Sequence, residues 1–503
     1  MPMKTLRGWV AAAARRFWRL GLRLTLLLGL ICLAIAFGFT LYAVGALPSL
    51  QPWHTERLRE EFSASRHGEI DFAGYLLREA KLFDELREKV ATWDASDEAL
   101  VYSRFNATGR LSLLVEGAPY NRSFRLKPAQ PVGSALLIHG LSDSPYSMKA
   151  LAESLHARGF EVTVLRVPGH GTLPSMMTEM TAADWTAAVR IAARDVAARA
   201  SAGQLFYVGG YSTGGTLALQ YTLDSLEDGA LRKPDRVLLV SPAIELTKAA
   251  TLANVIDLFS IVPIPLLEKV RWQEVAVEYD PYKFNSFPVN ATRQVNRATH
   301  ELQHALVRAT ESGRIAQMPP VVTWQSVVDS TVGARGVVDT LYARLKGAGH
   351  RLVLFDVNRQ QALNSVQRPG ARQLIERLEQ GVRGYALDVV TNSHAQTSQV
   401  SVHHFLPDGT QNVRETTLVW PPNLVSLGHV ALPFSPDDAA YGLMPGSGRD
   451  GIPSIGSWLL RGENGAVTIS LASLTRPRSN PFWPLIDEDI DTLVAADRTR
   501  VQR

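Results

Sequence analysis

The chain has 503 residues, 46% of them hydrophobic and 20% charged, which exceeds the ~100–200 residues usual for one domain and is too apolar for a disordered or fibrous protein. Its net charge of +4 is concentrated at one end: Lys4, Arg7, Arg15, Arg16, Arg19 and Arg23 stand in the first 23 residues without an acid, so the other 480 residues carry −2 and no basic face supports nucleic-acid binding. The single cysteine, Cys32, lies in an apolar run, which excludes an intrachain disulfide framework, a cysteine zinc site and thiol catalysis in the soluble part.

In chain order, the basic leader 1–23 precedes the 24 uncharged residues Leu24–Leu47. At ~1.5 Å per residue a helix of that length crosses a hydrocarbon core ~30 Å thick. The cations before it place the N-terminus in the cytoplasm and everything after Pro48 outside. A cleaved signal peptide is the alternative, with small residues at Val44-Gly45-Ala46, but the apolar run is longer than the ~7–15 residues of a signal core. Residues 48–130 read as a helical collar followed by leading strands. Phe72, Tyr75, Leu76, Ala80, Phe83 and Leu86 recur at spacings of three and four, and strand-like runs follow at Arg110–Val115 and Ser123–Leu126.

From residue 131 to 246, apolar strands (ALLIHG 135–140, FEVTVLRV 160–167, QLFYVGG 204–210, RVLLVSP 236–242) alternate with amphipathic helices ending near 158 and 199. That rhythm predicts a mostly parallel, doubly wound α/β sheet covered on both faces. It breaks over 247–317, an aromatic and proline-containing stretch too long for an ordinary connection and suited to a cap or lid. It resumes over 318–503 with PPVVTWQSVVD (319–329), a helix near 335–346, RLVLFDV (351–357), then strand-like runs at 384–392, 399–406 and 415–420 and a C-terminal extension without legible pattern.

Gly210-Tyr211-Ser212-Thr213-Gly214 is a G-x-S-x-G directly after an apolar strand and directly before an apolar helix. This is the context in which a serine is held out at the edge of a sheet as a nucleophile, the glycines relieving the crowding of a sharp turn. A serine hydroxyl needs a base to take its proton and preorganised donors for the oxyanion. The donors expected are the backbone N–H groups of Thr213, at the helix start, and Leu141, in the loop His139-Gly140-Leu141 after the first strand. His139 is expected to shape that loop.

The segments LLIHGLSDSPYSM, RVPGHGT (166–172) and GGYSTGGTLAL (209–219) resemble the α/β-hydrolase superfamily, in particular its monoacylglycerol lipase, carboxylesterase and serine aminopeptidase-like branch. The resemblance covers residues 131–440. It is also similar, through PWH (52–54) and SLGHVALPFSPDD, to single-pass bacterial hydrolases, which implies an inner-membrane protein facing the periplasm. In that family the triad runs Ser, acid, His. The resemblance therefore implies Ser212 as nucleophile, Asp329 as acid at the end of the strand after the cap, with Asp356 as the alternative and Asp339 as a solvated charge. Of the five later histidines, His350, His394, His403, His404 and His429, it implies His429 as base, reached through an insertion of 73 residues after Asp356. His170 is expected to shape its loop, and Tyr211 and Tyr146 to line the substrate pocket. Sequons at Asn106, Asn121 and Asn290 are read as chance matches.

The expected chemistry is acyl transfer without metal or cofactor, on an ester with a hydrophobic acyl chain, beside a lipid bilayer. Serine peptidase and acyltransferase activity would use the same triad, and a non-catalytic tethered scaffold is the remaining alternative.

Overall fold

The computed structural model describes residues 18–35, 47–94, 98–101, 103–106, 120–201, 203–245, 265–347, 349–361, 367–443 and 476–501, with isolated positions 16, 38, 45, 112 and 363 between them. The expected leader up to residue 15, the strand at 110–115 apart from residue 112, the first part of the cap (247–264) and residues 444–475 lie outside the described residues.

Ten strands form one sheet: β1 (Phe124–Leu126), β2 (Gly133–Ile138), β3 (Phe160–Leu165), β4 (Leu205–Tyr211), β5 (Arg236–Val240), β6 (Val321–Ser326), β7 (Arg351–Phe355), β8 (Ala386–Asn392), β9 (Gln399–Phe405) and β10 (Gln411–Val419). Their spatial order is β1-β3-β2-β4-β5-β6-β7-β8-β9-β10. The seven strands from β3 to β8 in that order are mutually parallel, while β1 and the β9–β10 hairpin close the two edges antiparallel. The architecture is the mostly parallel, doubly wound α/β sheet that the strand and helix rhythm predicts.

Because successive side chains of a strand point to opposite faces, each apolar run serves two cores. Leu136 and Ile138 of β2 join one cluster and Ala135 and Leu137 the other. The first face is covered by α3 (Ala182–Arg199), α4 (Thr213–Glu227), α5 (Val289–Glu311) and α6 (Gly370–Gln380). The second is covered by α2 (Lys149–Ala157) and α7 (Trp483–Val501). Burial on both faces is why these strands read as continuous hydrophobic runs.

Three expectations change in detail. The helix expected near 335–346 is a short turn at Ala334–Gly336 continuing as a π-helical turn over Val337–Tyr342. The second half of the expected cap is not a lid: α5 packs into the main core through Val295, Leu302 and Leu306. What remains of the cap among the described residues is a strap, 265–288, with a small ladder between Trp272–Glu274 and Phe287–Pro288. The C-terminal extension, patternless in sequence, contributes α7, locked to the sheet where Asp497 takes two hydrogen bonds from Arg236 (2.6 and 2.8 Å) and one from Tyr207 (2.6 Å).

The collar helix α1 (Phe72–Val90) lies where its periodicity predicts. It carries a buried glutamate on its apolar face, since Glu79 (4% exposed) meets Arg166 Nε at 3.0 Å. Arg166 also forks onto Glu61 (3.0 and 2.9 Å). Ahead of the collar, the helix Trp18–Ile35 is exposed along its length and is long and apolar enough to cross a membrane. Its described start is six residues earlier than the uncharged run suggests.

Candidate active site

Strand β4 ends at Tyr211 and α4 starts at Thr213, leaving Ser212 alone in the turn with φ +53° and ψ −120°. A non-glycine residue holds so unfavourable a conformation only when its surroundings impose it. The imposition is visible: Ser212 N–H donates to Val240 O (3.0 Å), and its carbonyl accepts from Gly215 N (2.9 Å) and Ala243 N (3.0 Å). A Cβ on Gly214 would collide with the carbonyl of Ile138, so this glycine is what lets α4 start against β2.

The three residues implied as nucleophile, base and acid are brought together. Ser212 Oγ stands 3.0 Å from His429 Nε2, and His429 Nδ1 stands 2.8 Å from Asp329 Oδ2. With Nδ1 protonated, Nε2 accepts the serine proton. Asp329 takes three further donors: Thr331 N (2.8 Å) and Val332 N (3.0 Å) on Oδ1 and Gln325 Nε2 (3.1 Å) on Oδ2. Burial pushes its carboxyl up, but His429 and the two amides outweigh that and hold it below the usual carboxylate range.

His429 returns to the site from a long excursion over α6, β8 and the β9–β10 hairpin. The return is pinned at three points: Asn358 N donates to Val425 O (2.7 Å), Val357 and Ser426 form an isolated bridge, and Ser326 Oγ donates to Leu427 O (2.8 Å). The insertion thus extends the far edge of the sheet and rejoins it at the ends of β6 and β7. Tyr211 adds a fourth hold, donating its hydroxyl to His429 O at 3.3 Å.

Of the two expected oxyanion donors, Thr213 N–H opens α4 next to Ser212, and Leu141 N–H lies in the turn closed by Asp143 N to Gly140 O (3.3 Å). Neither N–H takes a hydrogen-bond partner among the described residues. His139 shapes this loop, its Nδ1 donating to Gly140 O (2.8 Å) while Nε2 accepts from Val167 N (3.0 Å). His170 sits beside it, ring centroids 5.1 Å apart, and burial lowers its pKa to about 4.

The other candidates stand elsewhere. Asp356 is consumed by Arg359 (2.5 and 2.7 Å) and Thr391 (3.0 Å), and Asp339 is an exposed partner of Arg377 (2.9 Å). His350 accepts from Val321 N (3.2 Å), His394 is exposed, and His404 pairs with Asp388 on the sheet extension beside His403. Tyr211 and Tyr146 are 1% and 3% exposed. Tyr211 braces His429 instead of offering a ring to a ligand. Tyr146 stacks on Tyr282 of the strap (3.7 Å between centroids) and donates to Asp438 (3.0 Å). Asn121, at 2% exposure, is closed to glycosylation.

Sequence reasoning missed the strap residues at this site. Phe284 N donates to Ser142 O (2.8 Å), and Lys283 Nζ reaches Asp143 Oδ1 (3.2 Å). These contacts join positions about 140 residues apart, and no local pattern announces them.

Comparison with known proteins gives the family. Residues 135–394 match the family model described as the alpha/beta hydrolase family. Over 89 residues the chain is 40% identical to a thermostable monoacylglycerol lipase of Bacillus sp. (strain H-257), which is 18% of this chain and 34% of that protein. The chain thus spans about a third of the length of the curated relative it matches. Solved structures it is similar to include a monoacylglycerol lipase of Paleococcus ferrophilus (18% identity, 51% of this chain and 98% of that one, TM-score 0.34). A second is a soluble variant of the monoglyceride lipase of Saccharomyces cerevisiae (15% identity, 46% and 81%, TM-score 0.35).

Proposed function

The chain belongs to the alpha/beta hydrolase family, and from that premise we propose that it is a membrane-anchored serine hydrolase that cleaves carboxylic esters through an acyl-enzyme. The observation that carries this is the continuous relay from Ser212 Oγ through His429 to Asp329, at 3.0 and 2.8 Å.

In this mechanism His429 takes the Ser212 proton as the oxygen attacks the substrate carbonyl. Asp329, kept ionised by its donors, orients the imidazole and stabilises the imidazolium that forms. The N–H groups of Leu141 and Thr213 receive the oxyanion, each worth roughly 10²–10³ in rate. His429 then gives its proton to the departing alcohol, and water, activated by the same histidine, releases the acyl group from Ser212. The α4 N-terminus adds its positive end to the oxyanion site.

The likeness to a lipase over 89 residues and the exposed apolar helix at the N-terminus favour an ester with a hydrophobic acyl chain, presented beside a lipid bilayer. The six cations before that helix favour an orientation with the catalytic domain outside the cytoplasm. The test uses the full-length chain in detergent with p-nitrophenyl esters from acetate to palmitate. Ser212→Ala and His429→Ala are each expected to lower kcat by ~10³-fold or more, and a fluorophosphonate to label the wild type but not Ser212→Ala. A folded wild type that neither hydrolyses nor labels would overturn the reading and leave a tethered scaffold. Turnover of peptides or transfer to added alcohols in place of hydrolysis would move the assignment to a peptidase or an acyltransferase.

A further inference from the structure

The loop that carries Leu141 contains a carboxylate. Asp143 is 6% exposed, and a Cβ placed on Gly140 would stand 2.6 Å from its Oδ2, so the carboxylate folds back onto the residue preceding the Leu141 N–H. A negative charge there opposes the oxyanion that the N–H is meant to receive. The N–H can receive an oxyanion only where that charge is offset.

The offset comes from the strap. Lys283 Nζ lies 3.2 Å from Asp143 Oδ1, and the next residue, Phe284, donates its N–H to Ser142 O at 2.8 Å. Ser142 holds φ +61°, a conformation its side chain does not favour, so the loop needs such external contacts to keep its shape. The strap is itself anchored. Asp280 takes the N–H groups of Tyr282 (3.0 Å) and Lys283 (3.1 Å), and Glu278 those of Asn285 (3.0 Å) and Ser286 (2.7 Å).

We propose that Lys283 is a positioning residue for this site: it neutralises Asp143 and, with the Phe284 amide, holds the loop so that the Leu141 N–H faces Ser212. The role rests on the serine-hydrolase reading above and deepens it, because it makes the strap a part of the oxyanion site. Lys283 touches no reacting atom. Its removal leaves a buried carboxylate unpaired beside a site of developing negative charge, where low dielectric magnifies the repulsion.

Burial pushes the Asp143 carboxyl up, and Lys283 and His429 pull it back only in part, against Asp280. Tyr211 of β4 and Tyr441, the other titratable groups acting with it, are held neutral by burial. Without Lys283 the carboxyl rises further. As pH falls it gains a proton, the repulsion vanishes, and the defect of a Lys283 variant shrinks.

The experiment measures kcat and KM of the full-length chain in detergent on p-nitrophenyl butyrate between pH 6 and 9. Lys283→Met is expected to lower kcat ~10–100-fold at pH 8 with KM changed less than ~3-fold, the ratio to wild type narrowing toward pH 6. Adding Asp143→Asn is expected to restore most of that loss. The comparison of Asp143→Asn with Asp143→Asn/Lys283→Met carries the same test where the single variant does not fold, since neither has an unpaired buried charge; the two are expected to match within ~3-fold. A Lys283→Met enzyme with wild-type kcat, or a double variant at least tenfold below Asp143→Asn, overturns the inference while the hydrolase reading stands. A wild type that neither turns over ester nor labels with fluorophosphonate overturns both.

Discussion

The residues that make this site are costly ones, and their neighbours show how the cost is met. Ser212 sits at φ +53° because its backbone N–H and carbonyl are both committed to β5 and α4, and Asp329 stays ionised while buried because four donors converge on it. Glu278 is the counter-example. It is fully buried, burial is the largest influence on it, and its pKa is raised from 4.5 to about 7 despite Arg104 and the Asn285 and Ser286 amides. A carboxyl whose folded pKa lies above the unfolded one holds its proton more tightly when folded. The stability this contributes is fully present below about pH 4.5 and is lost as pH rises through about 7, a change of about 3 kcal/mol. Urea unfolding between pH 5 and 8 is therefore expected to show Glu278→Gln with a flatter decline than wild type; parallel slopes would refute it.

Among the elements, the collar shows why pattern and packing carry different information. The spacing of Phe72, Tyr75, Phe83 and Leu86 makes α1 legible in sequence, but the same face holds Glu79, whose charge alone would set it in solvent. It is inside because Arg166, at the end of β3, is inside too, joined to Glu79 and Glu61 within 3.0 Å. Tyr75 completes the joint by donating to Arg166 O at 2.6 Å. Arg166→Met is expected to cost about 3–5 kcal/mol, because two buried carboxylates lose their cation. It is also expected to expose the α1 backbone to hydrogen exchange before the central sheet. A loss under 1 kcal/mol by urea unfolding would show the cluster to be dispensable. The same logic explains α7 and the strap. Neither has a sequence signature, and both are placed by long-range partners: Asp497 on Arg236 for the one, Lys283 on Asp143 for the other.

At the scale of the whole molecule, the strap connects residues 47–54, which follow the N-terminal helix in the chain, to the site. Lys269 Nζ donates to Leu47 O (3.0 Å), and His54 Nε2 meets Ser286 Oγ at 2.8 Å with its ring edge-on to Trp272 (4.8 Å). The segment that follows the apolar helix therefore packs on the same strap that reaches Ser142 and Asp143. Eleven large apolar side chains of the described helix, from Trp18 to Ile35, are exposed, and no other described residue covers them. The full-length chain is expected to sediment with membranes and to resist extraction by alkaline carbonate. Its release at full length into the supernatant would rule out an anchor.

The amino-acid sequence by itself determined the parallel sheet and its two-sided burial, the apolar helix, the G-x-S-x-G turn and the HG loop, since each is a local pattern of residue type and spacing. It also limited the proposed acid and base to few positions through family order. What tertiary structure decided is which of those positions meet. His429 lies 217 residues beyond Ser212, across an excursion whose return is set by contacts with β6 and β7. Tyr211 turned from the pocket to the base, the cap resolved into a core helix and a strap, and Lys283 reached Asp143, because hydrogen bonds and ion pairs between distant segments depend on the assembled sheet. Local periodicity has no record of them.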